Sequence, residues 1–587
     1  MPLLNIEFGL SVLAVALAFA LPCVGDRWFS AIESRVNAFA ARRRLAVATI
    51  FFLALSTRLA VLPIEPIPHP GVHDEFSHLL VGDTLAHGRL ANPTPRLWEH
   101  FETFHENFVP AYASMYYPGQ GIFLALGQVV FGHPFWGVWL SSGLMCAAFC
   151  WALQGWVPSG WAFLGGILAI IRLGTFSYWD NSYWGGAVGA LGGALVIGAF
   201  PRIADFQRTR DALLMALGLA LIANTRPFEG LFFCLPLSVA LLGYLLLCVR
   251  PPSAWMRAVL LPASAVIGVT VGLMALYFYR TTGHPFTIPY KINMDRYGYV
   301  YFPWQKFRTA GLHFNHEPMR AFYEQQLPET AAKWTQEPLE VSLFRCLNMW
   351  SFFLNSALTI PLCFLVFCLP VNLKIGDLDW RLSSLILAVM LSVPALLLPT
   401  LFLSPHYAAA LACSGYVLYI LAARRVSGWS PAGRPVGRAL VRAVPIVCLL
   451  MALGYLVNPT WRPVNGAAIS TWYTHWEPID RTGIEQALQG INGNHLVIVR
   501  YGSNHDLSKE WVYNGADVEH SNIIWARDMG QEQNDKLIGT YCHRSVWLLK
   551  ADDNPMRLLA YSTRGNTDTA PGGELNRRSS NGAVGDK

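Results

Sequence analysis

The stretch His73-Asp74-Glu75-Phe76-Ser77-His78 begins about ten residues after an apolar run, residues 45–63, that is long enough to cross a membrane. Two adjacent carboxylates at the edge of a span are costly unless they do something there. Asp74 and Glu75 are therefore the first candidates for a catalytic or coupling site, and the rest of the chain can be asked whether it agrees.

The composition places the pair in a membrane protein. The chain has 587 residues, of which 53% are hydrophobic and 14% charged, with 21 Trp and a mean hydropathy of +0.35. That apolar content exceeds the roughly 45–50% of a soluble domain. The net charge of +6 is small and lies in short Arg clusters between apolar runs, which argues against nucleic acid and for topology signals. Most of the eleven Cys lie inside apolar runs and none forms a CxxC pair, so neither a disulfide nor a zinc framework is expected. The first run, residues 6–24, follows Glu7 and no Lys or Arg, the wrong polarity for a signal peptide, and reads as a retained span.

About thirteen hydrophobic segments can be marked: 6–24, 45–63, 119–133, 136–154, 159–172, 183–200, 211–224, 228–248, 258–279, 344–371, 383–403, 405–423 and 442–458. Basic clusters at Arg42–Arg44, at Arg202, Arg208 and Arg210, at Arg250 and Arg257, at Lys374 and Arg381, and from Arg424 to Arg442 mark five cytoplasmic loops. The alternate loops then face outward, provided that one early segment does not cross. The short run 119–133 is expected to be re-entrant or interfacial. The outward segments hold nearly all the unusual polar motifs, including HFETFH (100–105), ASMYYPGQG (113–121), SYWDNSYWGG (177–186), NTRPFEG (224–230) and SPHYA (404–408).

The expected fold is an all-α polytopic membrane bundle of about 12–13 hydrophobic segments with a small C-terminal soluble α/β domain. Residues 1–44 form an extra N-terminal span and cytoplasmic loop, and residues 45–459 the main transmembrane region with outer loops 64–118 and 280–343. Beyond them, strand-like runs in HLVIVRYG (495–502) and SVWLLKAD (545–552) place an extracytoplasmic α/β domain at 460–565. Residues 566–587, rich in Gly, Asn and Ser, read as a disordered tail.

Each candidate site residue has a structural alternative. On a helix over 74–87, Asp74 and His78 share a face while Glu75 points elsewhere. Asp74 is then either a general base or an acid favourably placed at a helix start. His73, Asp74 and His78 could hold a divalent metal, although their spacing matches no metal signature. Arg226, before Pro227, suits an anionic headgroup through its planar fork, or pairs with Glu229 at the interface. Arg172 and Asp180 could form an intramembrane pair lining a cavity, or a purely structural one. Lys291 and Arg296, among Tyr290, Tyr297 and Tyr299, suit a sugar-bearing lipid phosphate, or an interfacial aromatic belt. His406 and Tyr407 could donate to a phosphate or simply mark the interface.

The DE pair in the first large outer loop, the YPGQG segment, the outer Arg-Pro turn and the late His-Tyr before a span together resemble the membrane-embedded GT-C glycosyltransferases. The likeness is to protein O-mannosyltransferases and lipid A aminoarabinose transferases, and covers roughly residues 45–460. It implies a helical bundle with a cavity at its outer surface, transfer of a sugar from a polyprenyl-phosphate donor to a lipid, glycan or protein acceptor, and an inverting displacement with Asp74 as base and Glu75 beside it. It places Arg226, Lys291, His406 and Tyr407 on the departing phosphate. His78, His105, Tyr117, Gln120, Arg172, Asp180, Glu229 and Arg296 are the substrate-binding candidates. Relatives often carry Arg where His406 stands, and the first span lies outside the common core. No cofactor is required, a divalent metal remains open, and the location implied is the inner membrane with its site on the periplasmic face.

A transporter or flippase of a lipid-linked saccharide is the alternative. Such proteins place polar residues at mid-membrane on broken, repeated helices, whereas here the polar motifs gather at one face. A non-catalytic scaffold would leave that gathering unexplained.

Overall fold

The computed structural model describes residues 2–308, 310–368, 379–399, 401–458, 461, 471–472, 481–554 and 556–561. Lys374 and the tail 566–587 lie outside the described residues. Among those residues nine helices are long and apolar enough to cross a membrane, and Pro338–Phe353 with Asn355–Val366, bent by 98°, passes the same test only as a pair, as a broken span or a re-entrant loop. Three shorter helices, Gly119–Phe131, Ser159–Arg172 and Thr209–Ala223, account for the remaining apolar segments.

The Gly119–Phe131 helix has 13 residues. At 1.5 Å per residue it spans about 20 Å, short of the roughly 30 Å of a hydrocarbon core. It turns at once into the Phe135–Leu153 helix, and the two backbones touch. A Cβ on Gly137 would lie 1.8 Å from the Phe123 carbonyl oxygen, so only glycine allows the approach.

The N-terminal Pro2–Ala20 helix is part of the bundle. Glu7, fully buried, pairs with Arg172 at 2.9 Å, accepts from Asn355 Nδ2 at 2.9 Å and Trp472 Nε1 at 3.0 Å, and takes the Ala357 N–H at 3.3 Å. Arg172 in turn donates to the Leu354 carbonyl at 3.2 Å. One buried ion pair thus pins the bent helix pair at its elbow, where Asn355 takes a left-handed φ of 51°.

The basic clusters gather at one end of the bundle. Arg381 pairs with Asp205, Arg442 reaches Glu33 at 2.7 Å, and Arg434 donates to the Ala20 carbonyl at 3.0 Å. At the other end of the Val436–Val457 helix, the Tyr455 hydroxyl donates to Glu65, in the loop that leads to the DE pair, at 3.1 Å.

The C-terminal part is a four-stranded sheet in the order Ile523–Arg527, His495–Arg500, Ser545–Lys550, Arg557–Ala560. The first three strands are parallel, with His495 opposite both Ile523 and Ser545, and the last is antiparallel. The central strand HLVIVR is buried at its first five positions, as a strand covered on both faces must be. The module docks on the loop that carries the DE pair: Leu496, Ile498 and Ile524 share a core with Leu80, Phe101, Phe108 and Tyr112. Polar contacts fix the docking, with the Ala516 N–H donating to Asp83 at 2.7 Å and Arg527 Nε donating to the Glu102 carbonyl at 2.6 Å.

Candidate functional site

The DE pair opens the His73–Ala86 helix, and its two members face different surroundings. Glu75 folds back over the helix start. Its carboxylate accepts the N–H of Gly71 at 2.8 Å and of Val72 at 3.3 Å, and the N–H of Tyr183 at 2.9 Å. A side chain that satisfies orphan helix donors and ties down a neighbouring loop is a structural anchor. Burial pushes its pKa up to about 7, against the pull of those three donors. Its expected place in the catalytic pair is therefore corrected: all of its contacts go to backbone.

Asp74 points the other way, with a quarter of its side chain exposed. Burial raises its pKa above the ordinary aspartate value, against the pull of His73, Arg226 and Trp184. The imidazole facing it is that of His105, with Nδ1 3.7 Å from Oδ1, rather than that of His78. His78 instead stacks on Tyr116, ring centroids 4.4 Å apart, and His73 stacks on Phe104 at 4.3 Å. The aromatic partners fix these rings away from a common point, and among the described residues no group of three His, Cys, Asp or Glu side chains is placed to hold a metal. The candidate metal set His73, Asp74, His78 does not fit an ion. Burial depresses the pKa of His78 and His105 to about 3 and of His73 to about 4, so none of the three brings a positive charge at neutral pH.

The cation of the site is Arg226, the residue before Pro227 at the start of the Pro227–Cys248 helix. It lines a cleft of about 650 Å³ together with Tyr117, Glu229, Tyr290, Lys291 and Tyr407. Its guanidinium lies over the Tyr407 ring, 3.9 Å from the centroid. Among the described residues no carboxylate comes within ion-pairing distance of it; Glu229 acts on it only at longer range. The far wall comes from the Pro289–Tyr297 helix and the turn after it. Gly298 ends that helix at φ 74°, and a Cβ there would meet the Arg308 carbonyl at 2.2 Å, so the turn closes only on glycine. Lys291 sits on the exposed rim, paired with Asp295 at 2.6 Å, and Lys306 and Arg308 lie along the same rim. Asp74 is not itself a lining residue, but its charge acts on the hydroxyls of Tyr290, Tyr299, Tyr301 and Tyr407, which are.

Behind Arg226 lies a second, enclosed space of about 30 Å³, bounded by His78, Tyr116, Tyr117, Gln120, Trp184 and His406. His406 belongs to this wall and not to the cleft. The Tyr178 hydroxyl accepts the His406 backbone N–H at 2.9 Å and so has its own proton free for Nδ1, also at 2.9 Å. Of the late pair only Tyr407 lines the cleft, and the phosphate-donor reading of His406 is corrected accordingly.

Three further expectations are also corrected. Arg172 and Asp180 do not pair: Arg172 holds Glu7, and Asp180 faces Arg58 at 3.8 Å. The loop between them folds back on itself, with Asn181 Nδ2 donating to the carbonyls of Thr175 and Ser177, and this turns Asp180 toward the Arg43–Val61 helix. Both are fully buried and neither lines the cleft. Arg296 is likewise engaged elsewhere, at 2.8 Å from Glu102 and stacked on Trp98 at 4.6 Å, where it braces the outer loop.

Sequence reasoning missed the part played by the C-terminal module. Tyr513 stacks on Phe76, two residues from Asp74, with centroids 4.2 Å apart and planes 2° from parallel, and its ring also lies 6.5 Å from that of His73. Only strand-like runs stood out in that tail, and nothing local tells which loop a distant aromatic will meet.

The fold and cleft define a polytopic helical membrane protein with a cationic, tyrosine-lined site at one end of its bundle. No family model matches the chain, and no curated protein matches it. Solved structures of the oligosaccharyltransferase of Archaeoglobus fulgidus are similar to it at 11% identity. The complex of that enzyme with zinc and sulfate aligns over 77% of this chain and 60% of its own, with a TM-score of 0.43. The form tethered by a disulfide bond to an acceptor peptide containing the NVT sequon aligns over 86% and 69%, also at 0.43, and the apo form over 77% and 62% at 0.41. The chain thus spans about 60% of the length of the first of these. Likeness at this level assigns neither activity nor substrate.

Proposed function

We propose that the chain is a membrane glycosyltransferase that moves a sugar from a polyprenyl-phosphate-linked donor to an acceptor at the periplasmic face of the inner membrane, with inversion and with Asp74 as general base. The observation that carries this reading is Arg226, a guanidinium in a roomy cleft with an aromatic ring beneath it, no carboxylate at pairing distance among the described residues, and the Asp74 charge acting on it and on Tyr407 of the same cleft. An unpaired planar fork at a helix start is suited to phosphate.

In the reaction so proposed, the donor phosphate rests on Arg226 and the first turn of the Pro227–Cys248 helix, with tyrosine faces available to the sugar. The acceptor oxygen attacks the anomeric carbon from the side opposite the phosphate. The bond to the phosphate oxygen breaks, its electron pair leaves with the phosphate, and Asp74 takes the acceptor proton. Offsetting the leaving group's charge with a fixed cation contributes of the order of 10²–10³-fold per donor. General base assistance adds about 10²–10⁴-fold. Tyr117 and Glu229, inside the cleft, are placed to hold sugar hydroxyls. The acceptor is a lipid, a glycan or a protein.

The test is transfer by the purified full chain from a panel of polyprenyl-phosphate sugars, with and without a chelator. Glycosylated product from at least one donor supports the reading, and movement of the intact donor across vesicles without any product would favour a transporter instead.

A further inference from the structure

His105 stands out among the residues around Asp74 because its backbone is strained while its carbonyl is doubly held. Its φ is +61°, in the left-handed region that a residue with a Cβ seldom adopts. Two hydrogen bonds converge on its carbonyl, from Ser77 Oγ at 2.7 Å and from the Met115 N–H at 3.0 Å. Ser77 belongs to the Asp74 helix and Met115 to the opposite side of the loop, so the strained residue is tied to the element that carries Asp74. Strain maintained in this way is a mark of a position fixed for a purpose.

The side chain shows what the conformation achieves. Nδ1 lies 3.1 Å from the Tyr116 hydroxyl and 3.7 Å from Asp74 Oδ1. Beside the ring lie His73 and Phe322, with centroids 5.7 and 6.1 Å away, and the charge of His105 also acts on His78. The buried ring is neutral near pH 7 and carries one N–H. When Asp74 is ionised, as a base must be, a bare Nδ1 lone pair facing it would be repulsive, which favours the tautomer with the proton on Nδ1. In that tautomer the N–H lies between the Tyr116 hydroxyl, at 3.1 Å, and Asp74 Oδ1, at 3.7 Å, with its positive end toward the carboxylate.

We infer that His105 is the positioning residue for Asp74: its left-handed backbone aims an Nδ1–H at the carboxylate, which fixes the carboxylate's orientation toward the acceptor proton. The inference rests on the proposed role of Asp74 as base. It gives His105 a task distinct from substrate binding.

The left-handed φ makes the test clean, because glycine and asparagine both adopt it readily. His105→Gly keeps the backbone and removes the ring, while His105→Asn keeps the backbone and returns an N–H donor near the Nδ1 position. In the full chain, His105→Gly should unfold at the wild-type temperature or above and retain the donor KM, yet lose kcat by about 100-fold, the scale of a misplaced catalytic group. His105→Asn should recover most of that loss. Wild-type kcat in the Gly variant, or an Asn variant as slow as the Gly variant, would overturn the inference. Asp74→Asn is run in parallel: full transfer by that variant would remove the base assignment itself, whereas an inactive Asp74→Asn beside a fully active His105→Gly would remove only the role of His105.

Discussion

Arg226 lies face-on to Tyr407, its guanidinium carbon 3.9 Å from the ring centroid, and among the described residues it has no carboxylate at pairing distance. An arginine held by a ring and left without a counter-ion keeps its fork directions open to an anion. Arg226→Ala is expected to weaken binding of a short-chain polyprenyl monophosphate about 10- to 100-fold, the loss of a charge-assisted hydrogen bond worth roughly 1.5–3 kcal/mol. Arg226→Lys should restore only part of it, because an ammonium cannot present two parallel donors. Titration of the detergent-solubilised protein with the lipid measures this, and unchanged affinity in the Ala variant would count against a phosphate role.

The pH dependence of transfer should report Asp74. Burial raises its pKa above the ordinary aspartate value, so the protonated, inactive form persists to a higher pH than for a solvated aspartate. On acidification kcat/KM should therefore fall through a single ionisation lying above 3.8, the ordinary value for aspartate. A profile flat down to the point of unfolding would mean that no buried base is required.

Glu75 and Asp74 should separate in their effects. Glu75→Gln turns one of two accepting oxygens into a donor facing backbone N–H groups. It should cost about 1–3 kcal/mol of stability, the penalty of an unsatisfied buried group. Among the described residues no backbone N–H donates to the Asp74 carboxylate, and Asp74→Asn should leave the thermal unfolding midpoint in detergent unchanged. Equal destabilisation by the two substitutions would contradict the division of roles.

The Glu7–Arg172 pair should behave as structure alone. Removing either partner leaves a buried charge and should cost about 3–5 kcal/mol, while a paired Glu7→Leu, Arg172→Leu replacement should recover much of that. Lipid-phosphate affinity of the double variant, measured below its unfolding midpoint, should match wild type. A selective loss of donor binding would return Arg172 to the substrate site.

The sequence made legible whatever is repeated or local. Span positions followed from apolar run length, and the short helix at 119–131 from the mismatch between its length and the arginine pattern. The separation of Asp74 from Glu75 followed from helical periodicity, and of the cationic, aromatic loop marked by Tyr290, Lys291, Arg296, Tyr297 and Tyr299 only Tyr290, Lys291 and Tyr299 line the cleft. Partner choice was not legible. Arg172 and Asp180 are eight positions apart in sequence, yet each finds an opposite charge on another helix, Glu7 and Arg58. Arg296 spends its fork on Glu102 and His406 its ring on Tyr178. Such choices depend on how whole helices pack, and a residue's type says only that it needs a partner. The same limit hid Tyr513, more than four hundred residues from the Phe76 ring it covers.

The central claim is that Asp74 removes the acceptor proton at a donor held by Arg226. It is tested most directly by measuring sugar transfer and lipid-phosphate binding in parallel on purified wild-type protein and Asp74→Asn. The account predicts that the variant binds the lipid phosphate as tightly as wild type and forms product at least about 100-fold more slowly, the scale of general base catalysis. Transfer by Asp74→Asn at the wild-type rate would contradict it.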